Sequence, residues 1–366
     1  MFEEVKGRFG FGIMRLKQDD KGDINFDEFQ KMVDYFMANG FNYFDTAHVY
    51  LNGNSERALK ECLVRNYPRH TFTITNKLSP SCFNKEEDIL PFFNMQLAAT
   101  GVDYFDFYLM HAQQKNNYDQ YNRCHAYEIA KKLKEEGKIK HIGISFHDDA
   151  EFLDKILTEH PEIEVVQLQF NYLDFDSEDV QSRKCYEVAT KKHGKKILVM
   201  EPVKGGQLAN LPEEANKLLD KDKTPASYAI RFVLSFKEVF MVLSGMNTME
   251  QLIDNVKTAK EDKPLNEDEF KTIEEIRNII LRYNDIGCTG CGYCLEGCPK
   301  HIFIPELFKA YNLKRRGDDM NALEIYERAA LNHGLAKDCI RCGKCENVCP
   351  QHLKIRDLLN EVKDNF

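Results

Sequence analysis

The sequence predicts a parallel α/β barrel of the TIM type, (β/α)8, followed by a small, mostly helical domain built around cysteines. Three observations carry that prediction. Short β-branched or aromatic runs alternate with amphipathic segments eight times in succession, the pattern of strand–helix units that closes into a barrel of about 250 residues. A chain of 366 residues has room for one such barrel and a small second unit. Eight of its twelve cysteines fall in two copies of one motif, "CTGCGYCLEGCP" at 288–299 and "CIRCGKCENVCP" at 339–350.

The units follow in order. "FGFGIMRL" (9–16) reads as a strand and leads to "NFDEFQKMVDYFMANG" (25–40), where Phe26, Phe29, Val33, Phe36 and Met37 share one helical face. Asn25 with Glu28 forms a capping-box pattern there, and Gly40 closes the helix. "FNYFDTA" (41–47) precedes a helix over 55–65, and "TFTITNK" (71–77) one over 85–99. "DYFDFYLMH" (103–111) precedes a helix over 123–136 that ends at Gly137, and "KHIGISFH" (140–147) one that runs to Glu159. "EVVQLQF" (164–170), "KILVMEP" (196–202) and "VFMVLSG" (239–245) pair with helices over 178–192, 225–235 and 249–259. A doubly wound open sheet accommodates the same alternation and is the alternative on pattern alone. The expected domains are the barrel at 1–265, a bridging helix within 266–283 and the cysteine domain at 284–366.

Charge divides the chain along the same line. Residues 284–366 carry twelve Lys/Arg and twelve Asp/Glu, so the formal net charge of -9 lies in the first 283 residues. An acidic balance disfavours nucleic acid as a partner. No apolar run approaches the roughly 18 residues of a membrane span, and "MFEEVKGRFG" lacks the basic-then-apolar pattern of an export signal. The expected setting is a reducing cytoplasm.

Both cysteine stretches read Cys-x-x-Cys-x-x-Cys-x-x-x-Cys-Pro. Structural zinc takes four ligands, usually as two separated pairs, which leaves a third and fourth cysteine in each stretch surplus. The spacing is that of the bacterial run for two [4Fe-4S] clusters, where the fourth cysteine of each stretch ligates the other cluster. By that rule Cys288, Cys291, Cys294 and Cys349 hold one cluster, and Cys339, Cys342, Cys345 and Cys298 the other. The forty residues between the motifs are rich in helix formers and read as two helices broken at Gly317. Cys62, Cys82, Cys124 and Cys185 lie outside any ligand spacing and read as ordinary thiols.

In a barrel, chemistry belongs to the C-terminal ends of the strands. Those ends carry Asp45 with Tyr50 just beyond, Lys77, His111, Ser145 with His147, Gln167, and the turn from Glu201 to Gly206. Taken singly, Tyr50 can be a packing aromatic, Asp45 and Lys77 a plain ion pair, and His111 a satisfied rim histidine. Together they suit one reaction. An ammonium stabilises a phenolate, an aspartate orients the ammonium, and a histidine positions a carbonyl oxygen, so a proton reaches oxygen while a hydride reaches carbon.

"GFNYFDTAHVY", "TNK" and "LMH" resemble the aldo/keto reductase family, and so do "YLNGNSE" after Tyr50 and "GMNTMEQLIDN" after the eighth strand. The resemblance spans about residues 8–260 and implies a (β/α)8 barrel, a nicotinamide cofactor, carbonyl or alcohol substrates, and Asp45, Tyr50, Lys77 and His111 as a catalytic tetrad. With the cysteine motifs it resembles members of that family that carry a C-terminal 4Fe-4S dicluster domain. It implies cofactor contacts from Ser145 and Gln167 and from the stretch holding Gly245, Asn247, Gln251 and Asn255. Phe146 stands where the family has an Asn, Met200 where it has a Tyr, and Gly245 and Gln251 where it has a Lys and an Arg for the 2'-phosphate of NADPH. The two missing cations amount to charge-assisted bonds of about 1.5–3 kcal/mol each.

"VKGGQL" (203–208) offers Lys204 and Gly205 to a phosphate, which suits the pyrophosphate of NAD(P)(H) and the single phosphate of FMN alike. Nicotinamide moves two electrons at once and a cluster one, so flavin is the usual go-between. The expected function is therefore an oxidoreductase with Tyr50 as proton donor and a ferredoxin or flavodoxin as electron partner. The alternatives are a flavin-containing iron–sulfur barrel, a low-turnover redox-sensing or binding scaffold, and a reductase whose clusters are structural.

Overall fold

The computed structural model describes residues 2–19, 22–331 and 333–366. The chain falls into two compact units, one formed by the chain up to Pro202 together with Ala229–Leu265, the other by Val203–Tyr228 together with Asn266–Phe366. Residues 203–228, inside the span expected for the barrel domain, thus group with the second unit.

In the first unit eight strands close into one barrel in chain order: β1 (Phe9–Gly12), β2 (Tyr43–Asp45), β3 (Thr73–Leu78), β4 (Phe105–Gln113), β5 (Ile139–Phe146), β6 (Val165–Gln169), β7 (Lys196–Met200) and β8 (Val239–Ser244). Every neighbouring pair is parallel, and β1 pairs with β8, which replaces the open-sheet alternative with a closed barrel. The helices up to Leu265 in chain order are α1 (Phe26–Ala38), α2 (Asn54–Leu59), α3 (Ile89–Thr100), α4 (Tyr118–Arg123), α5 (Ala126–Glu135), α6 (Ala150–Glu159), α7 (Ser182–Glu187), α8 (Glu213–Asn216), α9 (Pro225–Leu234) and α10 (Met249–Glu261), of which α8 belongs to the second unit.

Local chemistry sets the boundaries. The Asn25 side chain accepts from the Glu28 amide, so α1 starts where its cap predicts. The helix expected over 123–136 starts at Ala126, because His125 adopts φ 51° and breaks the chain between α4 and α5. The helix expected over 178–192 starts only at Ser182, after Gln181 at φ 54°, and α2 and α7 each continue into a π-helical turn.

Packing decides which residues reach the barrel interior. Outward-facing Phe11 and Phe44 meet Phe36 of α1 at ring-centroid distances of 5.7 and 5.3 Å. The inward residues Tyr43, Phe107, Val165, Leu198 and Met241 form a buried cluster, against which Phe2 packs. Two inward glycines make room for these large side chains. A Cβ at Gly10 would lie 2.7 Å from Leu243 Cδ2, and one at Gly143 2.4 Å from Val165 Cγ2. Side chains alternate with period two along a strand, so the next inward positions toward the C-terminal ends are Asp45 after Tyr43 and Gln167 after Val165. Register places Lys77 beside Leu109, and His111 follows two residues further along β4.

The second unit is mostly helical: α11 (Glu267–Arg282), α12 (Tyr293–Glu296), α13 (Ile304–Arg315), α14 (Asp319–Ala330), α15 (Lys344–Asn347) and α16 (Ile355–Asn365). Asn266 caps α11 with Glu269 in a reciprocal capping box. Gly317, at φ 82°, separates α13 from α14. The duplicated motif is duplicated in space: Gly292 at φ 81° starts α12 with Cys294, and Gly343 at φ 78° starts α15 with Cys345. Ile302, Ile304, Leu307, Phe308, Ile355, Leu359 and Val362 make its core around Cys294, Cys345 and Cys349. Among the described residues no helix is long and apolar enough to cross a membrane.

Candidate functional site

Asp45, Tyr50, Lys77 and His111 come together at the strand ends. Lys77 Nζ donates to Asp45 Oδ1 at 2.7 Å and to the Thr46 carbonyl at 2.8 Å. The same ammonium lies 4.9 Å from the centroid of the Tyr50 ring. His111 meets that ring edge-on, with centroids 5.8 Å apart and planes at 81°. Its Nδ1 is hydrogen-bonded to Ser79 Oγ at 2.7 Å.

Burial governs the electrostatics. It is the largest influence on Asp45 and Lys77, pushing the carboxyl up and the ammonium down, while each ion holds its partner toward the charged form and the neighbouring Gln167 also lowers the carboxyl. His111 is held well below the usual imidazole range, first by burial and then by the charges of Lys77 and His147. It is therefore neutral near pH 7, and its ring bonds without carrying charge.

The other expected contacts divide. Ser145 Oγ accepts from the Ala112 amide at 2.7 Å, where β4 is irregular and Ala112 has φ 52°. Phe146 is buried, its ring centroid 6.2 Å from that of Phe152 in α6, so this position holds a packing aromatic. Asn255 donates to Ser244 Oγ at 3.1 Å, and Gln251 Oε1 accepts from the Asn247 amide at 3.0 Å, fixing the first turn of α10. Gly245 sits beside Arg15: a Cβ there would lie 3.2 Å from both Arg15 Cγ and Cδ. Lys204 and Gly205 belong to the second unit. Gly205 has φ 63°, and a Cβ on it would lie 2.3 Å from the Thr289 carbonyl oxygen. Close backbone approach to the first cysteine loop thus requires this glycine, and Gln207 donates to the Cys288 carbonyl at 3.2 Å. Lys204 and Gly205, expected at a phosphate, thus lie beside the first cysteine loop.

Several site-shaping residues carried no signal of their own in the sequence. Ser79 holds His111, and Tyr121 Oη lies 2.8 Å from the carbonyl oxygens of both Leu78 and His111, sharing its one proton between them and tying the ends of β3 and β4. Fully buried Glu56 accepts from Asn76 at 2.8 Å and bonds His48 at 2.7 Å, which raises the His48 pKa. Tyr108 Oη donates to Gln96 Oε1, and Gln96 Nε2 in turn donates to Asn76 Oδ1 and the Lys77 carbonyl. Lys77 therefore stands on a satisfied buried network, the arrangement that fixes a side chain's position.

The cysteines ring two cavities. Cys288, Cys291, Cys294 and Cys349 line one, and Cys298, Cys339, Cys342 and Cys345 line the other. Each set takes three cysteines from one motif and the fourth from the other. Among the described residues no three His, Cys, Asp or Glu converge as a single ion requires. Four sulfurs spread around a cavity suit a multi-iron cluster, as zinc draws its ligands to one point. Burial and the neighbouring cysteines push the Cys294 thiol up, and burial and Glu346 push Cys345 up to about 11. Thiolates gathered there need a cationic core between them.

Fold and site together define a barrel oxidoreductase joined to an iron–sulfur module. Residues 8–278 match the aldo/keto reductase family, and residues 287–353 match the 4Fe-4S dicluster domain. The chain belongs to the aldo/keto reductase family. The holo form of aldo-keto reductase AKR11C1 from Bacillus halodurans is 23% identical, with TM-score 0.60 over 74% of this chain and 91% of that one. An aldo-keto reductase from Klebsiella pneumoniae in complex with NADPH is 16% identical, with TM-score 0.60 over 74% of this chain and 90% of that one. At these identities the likeness shows the fold. A short match, 29% identical over 75 residues, is to acetyl-CoA decarbonylase/synthase complex subunit alpha 1 of Methanosarcina acetivorans; it covers 20% of this chain and 8% of that protein.

Proposed function

We propose that the barrel interconverts a small carbonyl compound and its alcohol, with Tyr50 as the proton donor. The observation that carries this is the buried Asp45–Lys77 pair, 2.7 Å apart, beneath the Tyr50 ring at 4.9 Å with His111 edge-on. In the reducing direction the carbonyl carbon gains a hydride and its oxygen gains the Tyr50 proton. The Lys77 ammonium stabilises the phenolate left behind, and Asp45 keeps the ammonium in place. Neutral His111, with Nδ1 bonded to Ser79, positions the substrate oxygen through Nε2.

A nicotinamide dinucleotide, when bound, supplies the hydride. The NADPH of the Klebsiella relative supports that class of cofactor, with Ser145 and Gln167 facing the nicotinamide end and the first turn of α10 facing a phosphate. Cys288, Cys291, Cys294 and Cys349 hold one [4Fe-4S] cluster, and Cys298, Cys339, Cys342 and Cys345 the other. These clusters supply one-electron exchange with a ferredoxin or flavodoxin in a reducing cytoplasm.

Replacing Tyr50 by phenylalanine is the test. Carbonyl turnover is expected to fall by about 10²–10⁴ with iron and sulfide content unchanged. Retained turnover in a cluster-replete Tyr50→Phe protein refutes the assignment.

A further inference from the structure

The two cysteine cavities have different walls. Beside its cysteines the first is lined by Thr289, Tyr293, Phe308, Gln351 and other uncharged groups, with no charged side chain among them. The second is lined by three cations, Lys300, Lys344 and Arg356, and by no carboxylate. Arg356 is paired with Glu346 at 2.6 Å. Lys300 and Lys344 are exposed, and neither has a carboxylate within ion-pair distance among the described residues.

The second cavity also reaches the surface. Cys342, one of its four cysteines, is exposed, whereas those of the first set are half-buried or buried. A large apolar side chain of this lining faces solvent, Ile340 at 57% exposure. An apolar contact flanked by two unpaired cations is the make-up of a small, transient interface, of the kind that buries less than about 1,200 Å². The whole chain carries -9, so a cationic patch is an exception on it. An acidic protein is repelled by the molecule as a whole and drawn to this one face, which orients its approach.

Resting on the reading that the clusters carry electrons, we infer that this face is the docking surface for a small acidic one-electron carrier protein. Lys300 and Lys344 steer the carrier, and Ile340 supplies an apolar contact. One electron then passes between the reduced carrier and the group held by Cys298, Cys339, Cys342 and Cys345. The carrier is oxidised, that group is reduced, and no bond forms or breaks. The second site is the port to the outside, and the first, walled by neutral groups, is the inner member of the pair.

The test is stopped-flow reduction of the anaerobic holoprotein by a pre-reduced acidic ferredoxin, with reduced methyl viologen, a cation, as the second donor. The second-order rate constant with the ferredoxin is expected to fall as salt rises. The Lys300→Glu/Lys344→Glu variant is expected to slow it by about tenfold at low salt without slowing the viologen. A ferredoxin rate indifferent to salt in the unaltered protein, or equal in the variant, overturns the docking surface. Paramagnetic resonance after titanium(III) citrate separates the two ideas. Reducible clusters with a charge-indifferent rate remove only the docking surface, while clusters that no donor reduces remove the electron-carrying reading and the surface with it.

Discussion

Replacing Lys77 by methionine isolates the physical basis of the proposed site. Lys77 is fully buried and Asp45 4% exposed, with 2.7 Å between Nζ and Oδ1. At that separation and an effective dielectric constant near 20, the attraction is about 6 kcal/mol. Each ion has given up several kcal/mol of hydration to be there, so the intact pair comes close to breaking even. Methionine keeps the volume and removes the charge, leaving the Asp45 carboxylate desolvated and uncompensated. The expected loss of barrel stability is about 3–5 kcal/mol near neutral pH. Removing both charges in Asp45→Leu/Lys77→Met is expected to recover most of it.

The pH dependence fixes the cause. Burial already raises the Asp45 pKa, and loss of Lys77 raises it further. An acid whose folded pKa lies above its unfolded value, about 3.9, binds its proton more readily in the folded state. The penalty is therefore complete above the folded pKa and shrinks as pH falls toward the unfolded one. Urea unfolding of anaerobic holoprotein by far-ultraviolet circular dichroism at pH 8 and pH 5.5, each referred to the unaltered protein, measures both effects. Cluster absorbance follows the second unit separately, because a chain of two units has no single transition. A loss below about 1 kcal/mol, or one equal at the two pH values, refutes a buried ion pair at this site.

Three further outcomes follow from the same structure. Gly143→Ala forces a Cβ to 2.4 Å from Val165 Cγ2 inside the barrel and is expected to cost about 1–3 kcal/mol in urea unfolding. His111 is held below the usual imidazole pKa, so the unfolded chain binds a proton that the folded one refuses; stability is expected to fall as pH drops below about 6.5, and His111→Asn to remove that slope. Cys291→Ala is expected to lose one cluster, about four irons per chain by iron analysis, whereas Cys62→Ala, at a buried thiol raised to about 12, leaves iron unchanged.

The legible part of this molecule is the part governed by short periods. Alternation of two along β2 and β6 carries Tyr43 to Asp45 and Val165 to Gln167 on the inward face, so the strand ends could be picked out one by one. Motif spacing likewise assigned each cysteine to its set, because a three-residue step permits few other ways of encircling a cavity. Contacts made across the chain left no such trace. Ser79 reaches His111 over 32 positions and Asn76 reaches Glu56 over 20, and each is an ordinary polar residue until the barrel closes. The glycine pair after β7 is ambiguous for a related reason. Gly205 at φ 63° and Gly206 at φ 100° take left-handed backbone, and Gly205 approaches Thr289 closely, a need that a phosphate loop shares.

That same distinction explains why the two cysteine motifs, nearly identical as strings, part company as sites. Their matching glycines and prolines impose one loop geometry twice, which is why α12 and α15 start alike. Their intervening residues decide what each loop shows to solvent. Thr289 and Tyr293 stand at the first cavity, while Ile340 and Lys344 occupy the corresponding positions of the second. Lys300 and Arg356 come from outside both motifs and add their charges to the second wall alone. The cysteines set what the two loops have in common, and the residues between and beyond them give the second cavity alone the cationic wall on which the proposed docking surface rests.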